Sequence, residues 1–297
     1  MTYQDFKDYI YEEVASRYES RATVHLSTFT KNNGVLLDGL VICEEDSRIS
    51  PNLYLNDYYD LILEGQSKED VLNKILKKYE QAKSIPKFDP DIFSDFSAVK
   101  DKIIFRLINQ STNSELLEDV PYLPFLDLAI VFSVMIEISK DNFGTVLIRK
   151  DFLPQWNIEK EELFEIAKEN TYKDLQPEYC SIEDVVPPMF DEKDKDLWGV
   201  PIPSFPIYIL SNKKRFHGAG VICYPEYLKS LAEQLNCDLY IIPSSIHEVL
   251  IVPMADYIDL NTLSEMVRQV NATEVPPEEV LSNHAYYFLR AKNQLQY

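Results

Sequence analysis

The sequence predicts an α+β fold of mainly antiparallel β-sheets flanked by helices, and three observations carry that expectation. Several segments repeat apolar residues at helical spacing, strand-like runs are joined by tight polar turns, and the C-terminal part orders its elements ββαββα. Connections this short suit hairpins, because parallel neighbours need a long crossover.

Taken in order, the first helix is expected over residues 4–18, where Phe6, Tyr9, Ile10, Val14 and Tyr18 form one apolar stripe. "ATVHLSTFTKNNGVLLDGLVICEE" then predicts a β-hairpin, because Asn33-Gly34 tolerates the positive φ angles of a tight turn. His25 falls on its first strand. Ser67 and Asp70 have capping-box spacing, so a helix is expected from about Lys68 to Ala82. "DKIIFRLIN" and "FLDLAIVFSVMIEI" read as strands, the second apolar enough to be central and covered on both faces. "DNFG" turns into "TVLIRKDFL", and Asn157 is placed as the cap of a helix reaching about Lys168.

The C-terminal part reads as strand "PIYILS", turn "NKKRFH", strand "GAGVICY", helix "PEYLKSLAEQLN", strand "CDLYIIP", loop "SSIH", strand "EVLIVP" and helix "LNTLSEMVRQVN". Pro225 suits a first helical turn, Asn236 a helix end and Asp259 an N-cap. The proline-rich, charged run before it suits a connector, so two α+β domains are expected, 1–195 and 196–297, divided near Lys195.

Charge narrows the function classes. With 29 basic and 49 acidic residues the chain carries −20 formally, which disfavours direct binding to nucleic acid or to anionic lipid. Residues 151–200 hold 14 acids against 5 bases, so the face from Glu159 to Asp196 is expected either to be solvated or to engage a basic protein partner. The N-terminal segment lacks the pattern of a secretory signal, and the longest apolar run is interrupted by Asp127 and Glu137. Cys43, Cys180, Cys223 and Cys237 have no metal-ligand spacing and read as reduced thiols. A cytoplasmic setting without membrane attachment is expected.

"LSNKKRFHGAGVICYPEYLKSLAEQLNCDLYIIPSSIHEVLIVP" and "MVRQVNATEVPPEEVLSNHAYYF", with "LYLNDYYDLILEG" and "AKENTY" upstream, resemble a family of uncharacterised bacterial proteins carried by gut anaerobes. It is of the domain-of-unknown-function class. The resemblance covers most of the chain and implies a full-length fold and a bacterial cytoplasmic setting; it transfers no catalytic residue.

Two loops concentrate the chemistry. In "PSSIHE", Ser245 and His247 lie on one face of an extended chain, roughly 6–7 Å apart at Cβ, as a nucleophile and base would. Glu248 points to the other face and no nucleophile elbow is present, so a polar hairpin turn explains the stretch as well. Lys213, Lys214 and Arg215, followed by His217, Gly218 and Gly220, are the candidate ligand-binding residues, a basic turn suited to an anion but without Walker spacing. His217, His247 and His284 with Glu248 lack any short ligand motif, so neither metal nor cofactor is expected. Acid pairs such as Glu161-Glu162 read as solvated helix surface. The expectation is a non-enzymatic binding or regulatory protein; the alternative is a small hydrolase or anion-binding protein using loops 213–220 and 243–248.

Overall fold

The computed structural model describes residues 1–44, 50–83, 90–139, 142–185, 206–254 and 259–297. They form an α+β structure with mainly antiparallel sheets, in two compact units. One comprises residues 1–92 and 137–144, the other 93–136 and 145–297. Lys195, where the sequence suggests a boundary, lies outside the described residues.

The first unit begins with α1 (Tyr3–Tyr18). Its capping box is complete: the Asp5 N–H donates to Thr2 Oγ1 and the Thr2 N–H returns a bond to Asp5 Oδ2. Phe6, Ile10 and Val14 are fully buried and Tyr18 nearly so, each large apolar side chain contributing roughly 1.5–3 kcal/mol of burial. β1 (Ala22–Thr30) and β2 (Leu36–Glu44) pair antiparallel from Ala22↔Glu44 to Thr30↔Leu36, with Asn33 and Gly34 at φ 60° and 70° in the turn. Beyond it the sequence reading missed two short elements, β3 (Asn52–Tyr54), which pairs with β2, and α2 (Asn56–Leu63). α3 (Lys68–Lys83) begins where expected, the Asp70 N–H donating to Ser67 Oγ. Val71, Leu72, Ile75 and Tyr79 complete the core.

The second unit starts with α4 (Phe96–Val99) and β4 (Ile103–Asn109), followed by α5 (Ser114–Asp119), β5 (Tyr122–Phe125), β6 (Leu128–Ser139) and β7 (Asn142–Leu147), of which the end of β6 and the start of β7 fall within 137–144, counted with the first unit. β6 is central, pairing with β4, β5 and β7, and is buried from Leu128 to Val134. Next come α6 (Phe152–Trp156), α7 (Lys160–Asp174), β8 (Pro177–Ser181) and α8 (Ile182–Val185). Asn157 is not the N-cap that the sequence suggests. It ends α6 in the left-handed conformation, φ 52°, and Glu159 precedes α7, because Asn is as suited to a C-terminal αL position as to an N-cap.

β9 (Tyr208–Asn212), α9 (Pro225–Leu235), β10 (Leu239–Ser245), β11 (Glu248–Pro253), α10 (Leu260–Thr273), β12 (Tyr286–Leu289) and β13 (Gln294–Gln296) complete the chain. One sheet runs β13-β12-β10-β11-β9-β8. "GAGVIC" is not a strand here: Gly218–Cys223 is a 3₁₀ turn with all six residues buried. It bonds within itself, Gly220 N–H to His217 O and Tyr224 N–H to Val221 O. A fully buried apolar run has no polar face to reveal its period, so hydropathy alone cannot separate it from a strand. Among the described residues no helix is long and apolar enough to cross a membrane.

Candidate functional site

The 3₁₀ turn packs against β4, β9 and β11 and sets the site. Its glycines make the approach fit. A Cβ on Gly218 would lie 2.1 Å from Ser211 Oγ and 2.5 Å from the His247 carbonyl; one on Gly220 would lie 3.1 Å from the Phe105 ring. This packing brings β4 beside residue 217.

Asn212 organises the basic turn. Its Oδ1 accepts the Lys214 and Phe216 N–H groups, and its amide donates to Phe216 O. Arg215 and His217 are held at φ 52° and 51°, uncommon for non-glycine residues, which buttressing of this kind sustains. Lys213 donates to Gln176 Oε1 at 2.6 Å, and the exposed Arg215 guanidinium lies 3.6 Å from Glu248 and 3.3 Å from Cys180 Sγ. Lys213 and Arg215, both singled out in the sequence, therefore already have protein partners.

The two loops do meet, at the histidines. The His217 backbone N–H donates to His247 Nδ1 at 3.2 Å, and the rings stack with centroids 5.5 Å apart and planes 7° apart. An accepting Nδ1 puts the His247 proton on Nε2, which lies 3.9 Å from Glu279 Oε1. Ser245 does not serve this imidazole. Its Oγ accepts the backbone N–H of His247 at 3.0 Å, the turn-closing bond a serine makes in a hairpin loop. Both ring nitrogens of His247 face groups other than Ser245, an arrangement without the nucleophile–base hydrogen bond of a hydrolase.

The residue sequence reasoning missed is Arg106, in the middle of β4. Its Nη1 donates to His217 Nε2 at 3.3 Å, which leaves the His217 proton on Nδ1. Arg106 Nε and His217 Nδ1 are both buried without a hydrogen-bond partner among the described residues. Each such orphan costs about 1–3 kcal/mol. Burial alone depresses the Arg106 guanidinium's pKa, with no carboxylate contributing. His217 is held down at about 2 from 6.5 by burial first, then by Arg106 and His247. It is a neutral imidazole at any physiological pH. The signal in the sequence was a lone arginine inside the apolar run "IIFRLI".

His284, the third histidine, is on the exposed surface and its ring packs against Tyr297. Among the described residues no group of three or more His, Cys, Asp or Glu is arranged to hold a metal.

The family model described as "Family of unknown function (DUF5688)" matches residues 3–290. The chain belongs to this family. The DUF5688 match includes β4 as well as both loops, so Arg106, His217 and His247 all lie within the shared region. No curated protein and no solved structure matches the chain.

Proposed function

We propose that this DUF5688 protein is a non-catalytic binding protein whose second unit takes a small anion against Arg106 and His217. The observation that carries the reading is a largely buried guanidinium whose one described partner is a neutral imidazole. A buried ion without a counter-charge is strongly destabilising, and an incoming oxyanion would compensate it. Arg106 Nε–H and His217 Nδ1–H are each a buried donor without a partner among the described residues, and each suits an acceptor such as a carboxylate or phosphate oxygen. Arg106 as a residue keeps partial exposure. The −20 net charge opposes anions at long range, but screening within about 8 Å at physiological salt leaves the local charge to decide.

The test is thermal melting with inorganic phosphate or acetate against chloride at equal ionic strength. Saturable stabilisation that Arg106→Met abolishes is expected. No anion-specific shift, together with a high-resolution structure showing only water against the Arg106 guanidinium, would sink the reading.

Exposed acids along α7 and α8 support a second reading, docking of a basic protein: Glu161, Glu165, Glu169 and Glu183 are all solvent-facing. The rest of that acidic segment, 186–196, lies outside the described residues. A salt-sensitive basic partner recovered from the native cell is expected, and its absence counts against docking. Four free cysteines support a reducing, cytoplasmic setting.

A further inference from the structure

An open groove of about 510 Å³ lies elsewhere on the second unit, lined among others by Gln110, Ser111, Asp127, Asn283, His284 and Tyr297. Asp127 is the acid in its lining. Tyr286 Oη donates to Asp127 Oδ1 at 2.6 Å and Ser282 Oγ donates to Oδ2 at 2.7 Å, so two hydroxyls fix the carboxylate's orientation. Tyr286 in turn is buried on β12, and its phenol is held well above its usual pKa by burial and by Asp127, so it remains a donor. A carboxylate has about four acceptor positions, and these bonds occupy one on each oxygen. Neither bond brings a positive charge, and among the described residues no cation pairs with Asp127.

The surroundings match a cation carrying several N–H donors. Tyr297 contributes an aromatic ring, packed at 5.7 Å from the His284 ring and edge-on to Tyr286 at 6.1 Å, a surface over which an ammonium is favoured. Gln110, Ser111 and Asn283 add side-chain oxygens to the lining, that of Asn283 already accepting one bond from the Asn271 amide. Leu126, beside Asp127 in the lining, holds φ 56°, an uncommon backbone for leucine. The overall charge of −20 raises the local concentration of cations.

We propose that this groove binds a small organic primary amine, its ammonium on Asp127 and its alkyl chain along Tyr297 and His284. The site is separate from that of the Arg106 anion and does not depend on it.

The experiment uses the full chain and proton NMR of the four histidine rings, assigned by substitution. With 1,5-diaminopentane as probe, a saturable shift of the His284 signals is expected while His25 in the first unit stays still. The doubly N-acetylated probe, which lacks the charge, should leave His284 unmoved. Asp127→Asn should weaken binding ~10-fold or more, the loss of one charge-assisted contact. Should that variant unfold, Tyr297→Leu provides the second arm: the side chain is exposed, so the fold is retained, and loss of the ring should weaken binding measurably. The proposal is overturned if His284 does not shift, if all four histidines shift in parallel, if the acetylated probe acts equally, or if folded Asp127→Asn or Tyr297→Leu binds as tightly as wild type.

Discussion

Replacing Arg106 by methionine removes a buried charge while keeping a long flexible side chain, so the two sides of the ledger are separable. On one side, the guanidinium has lost most of its water without gaining a carboxylate, a penalty of several kcal/mol for a real protein interior. The orphaned Nε adds about 1–3 kcal/mol of unsatisfied donor. On the other side, the variant forfeits the Nη1–His217 bond, worth about 1.5–3 kcal/mol for a charged donor, and leaves His217 Nε2 unpaired. These terms nearly cancel, with the balance favouring methionine, so Arg106→Met should be about 0–2 kcal/mol more stable than wild type without ligand. At roughly 2–4 °C per kcal/mol for a unit of this size, its melting midpoint should rise by up to about 8 °C. Urea unfolding with a fit for the slope measures the free energy, and calorimetry the midpoint. A loss of more than about 3 kcal/mol would refute the reasoning, since it would mean the guanidinium is well satisfied in the unliganded protein.

Three further outcomes follow from the same geometry. His217 has its folded-state pKa depressed to about 2, so the unfolded chain binds the extra proton below pH 6.5; stability should fall as pH drops from 6.5, by up to ~1.4 kcal/mol per pH unit. His217→Gln should remove one proton from that slope in denaturant titrations between pH 6 and 4, and an unchanged slope would show that this ring is not buried neutral. Gly218→Ala should cost about 3 kcal/mol or more, because the new methyl meets the His247 carbonyl and the Asn212 backbone nitrogen, which cannot swing aside. Wild-type stability in that variant would contradict the packing of the 3₁₀ turn. Ser245→Ala should cost only about 1 kcal/mol, the value of one turn-closing bond, and should leave anion-induced stabilisation intact; loss of that stabilisation would give the hydroxyl a direct role.

The elements that could be read from sequence are those whose signals are local. Ser67 with Asp70 and Asp259 with Thr262 make their caps within three residues, and α1 shows its apolar stripe over a few turns. Asn33-Gly34 sets the first hairpin in the same way. Readings failed where one residue type serves two local roles or where burial hides the period. Asn157 fits either end of a helix, and "GAGVIC", buried on every side, has the hydropathy of a strand and the backbone of a 3₁₀ turn. β12 and β13 escaped because "AYYFL" and "QLQ" are short, and their pairing is visible only once β10 provides an edge.

The site divides along the same line. From residue types alone, the sequence identified both loops, the basic turn and the hairpin "SSIH", as places where polar chemistry gathers. It could not tell that Lys213 and Arg215 would be engaged by Gln176 and Glu248, or that Ser245 would close a backbone turn. Tertiary structure decided that His217 faces His247 on one side and Arg106, 111 residues earlier, on the other. Local rules act over a few residues, whereas a contact across that separation is chosen by packing, here by Gly218 and Gly220 admitting the turn against Ser211 and Phe105. An arginine in an apolar strand announces only that a buried charge must be answered; which group answers it depends on what the fold places beside it.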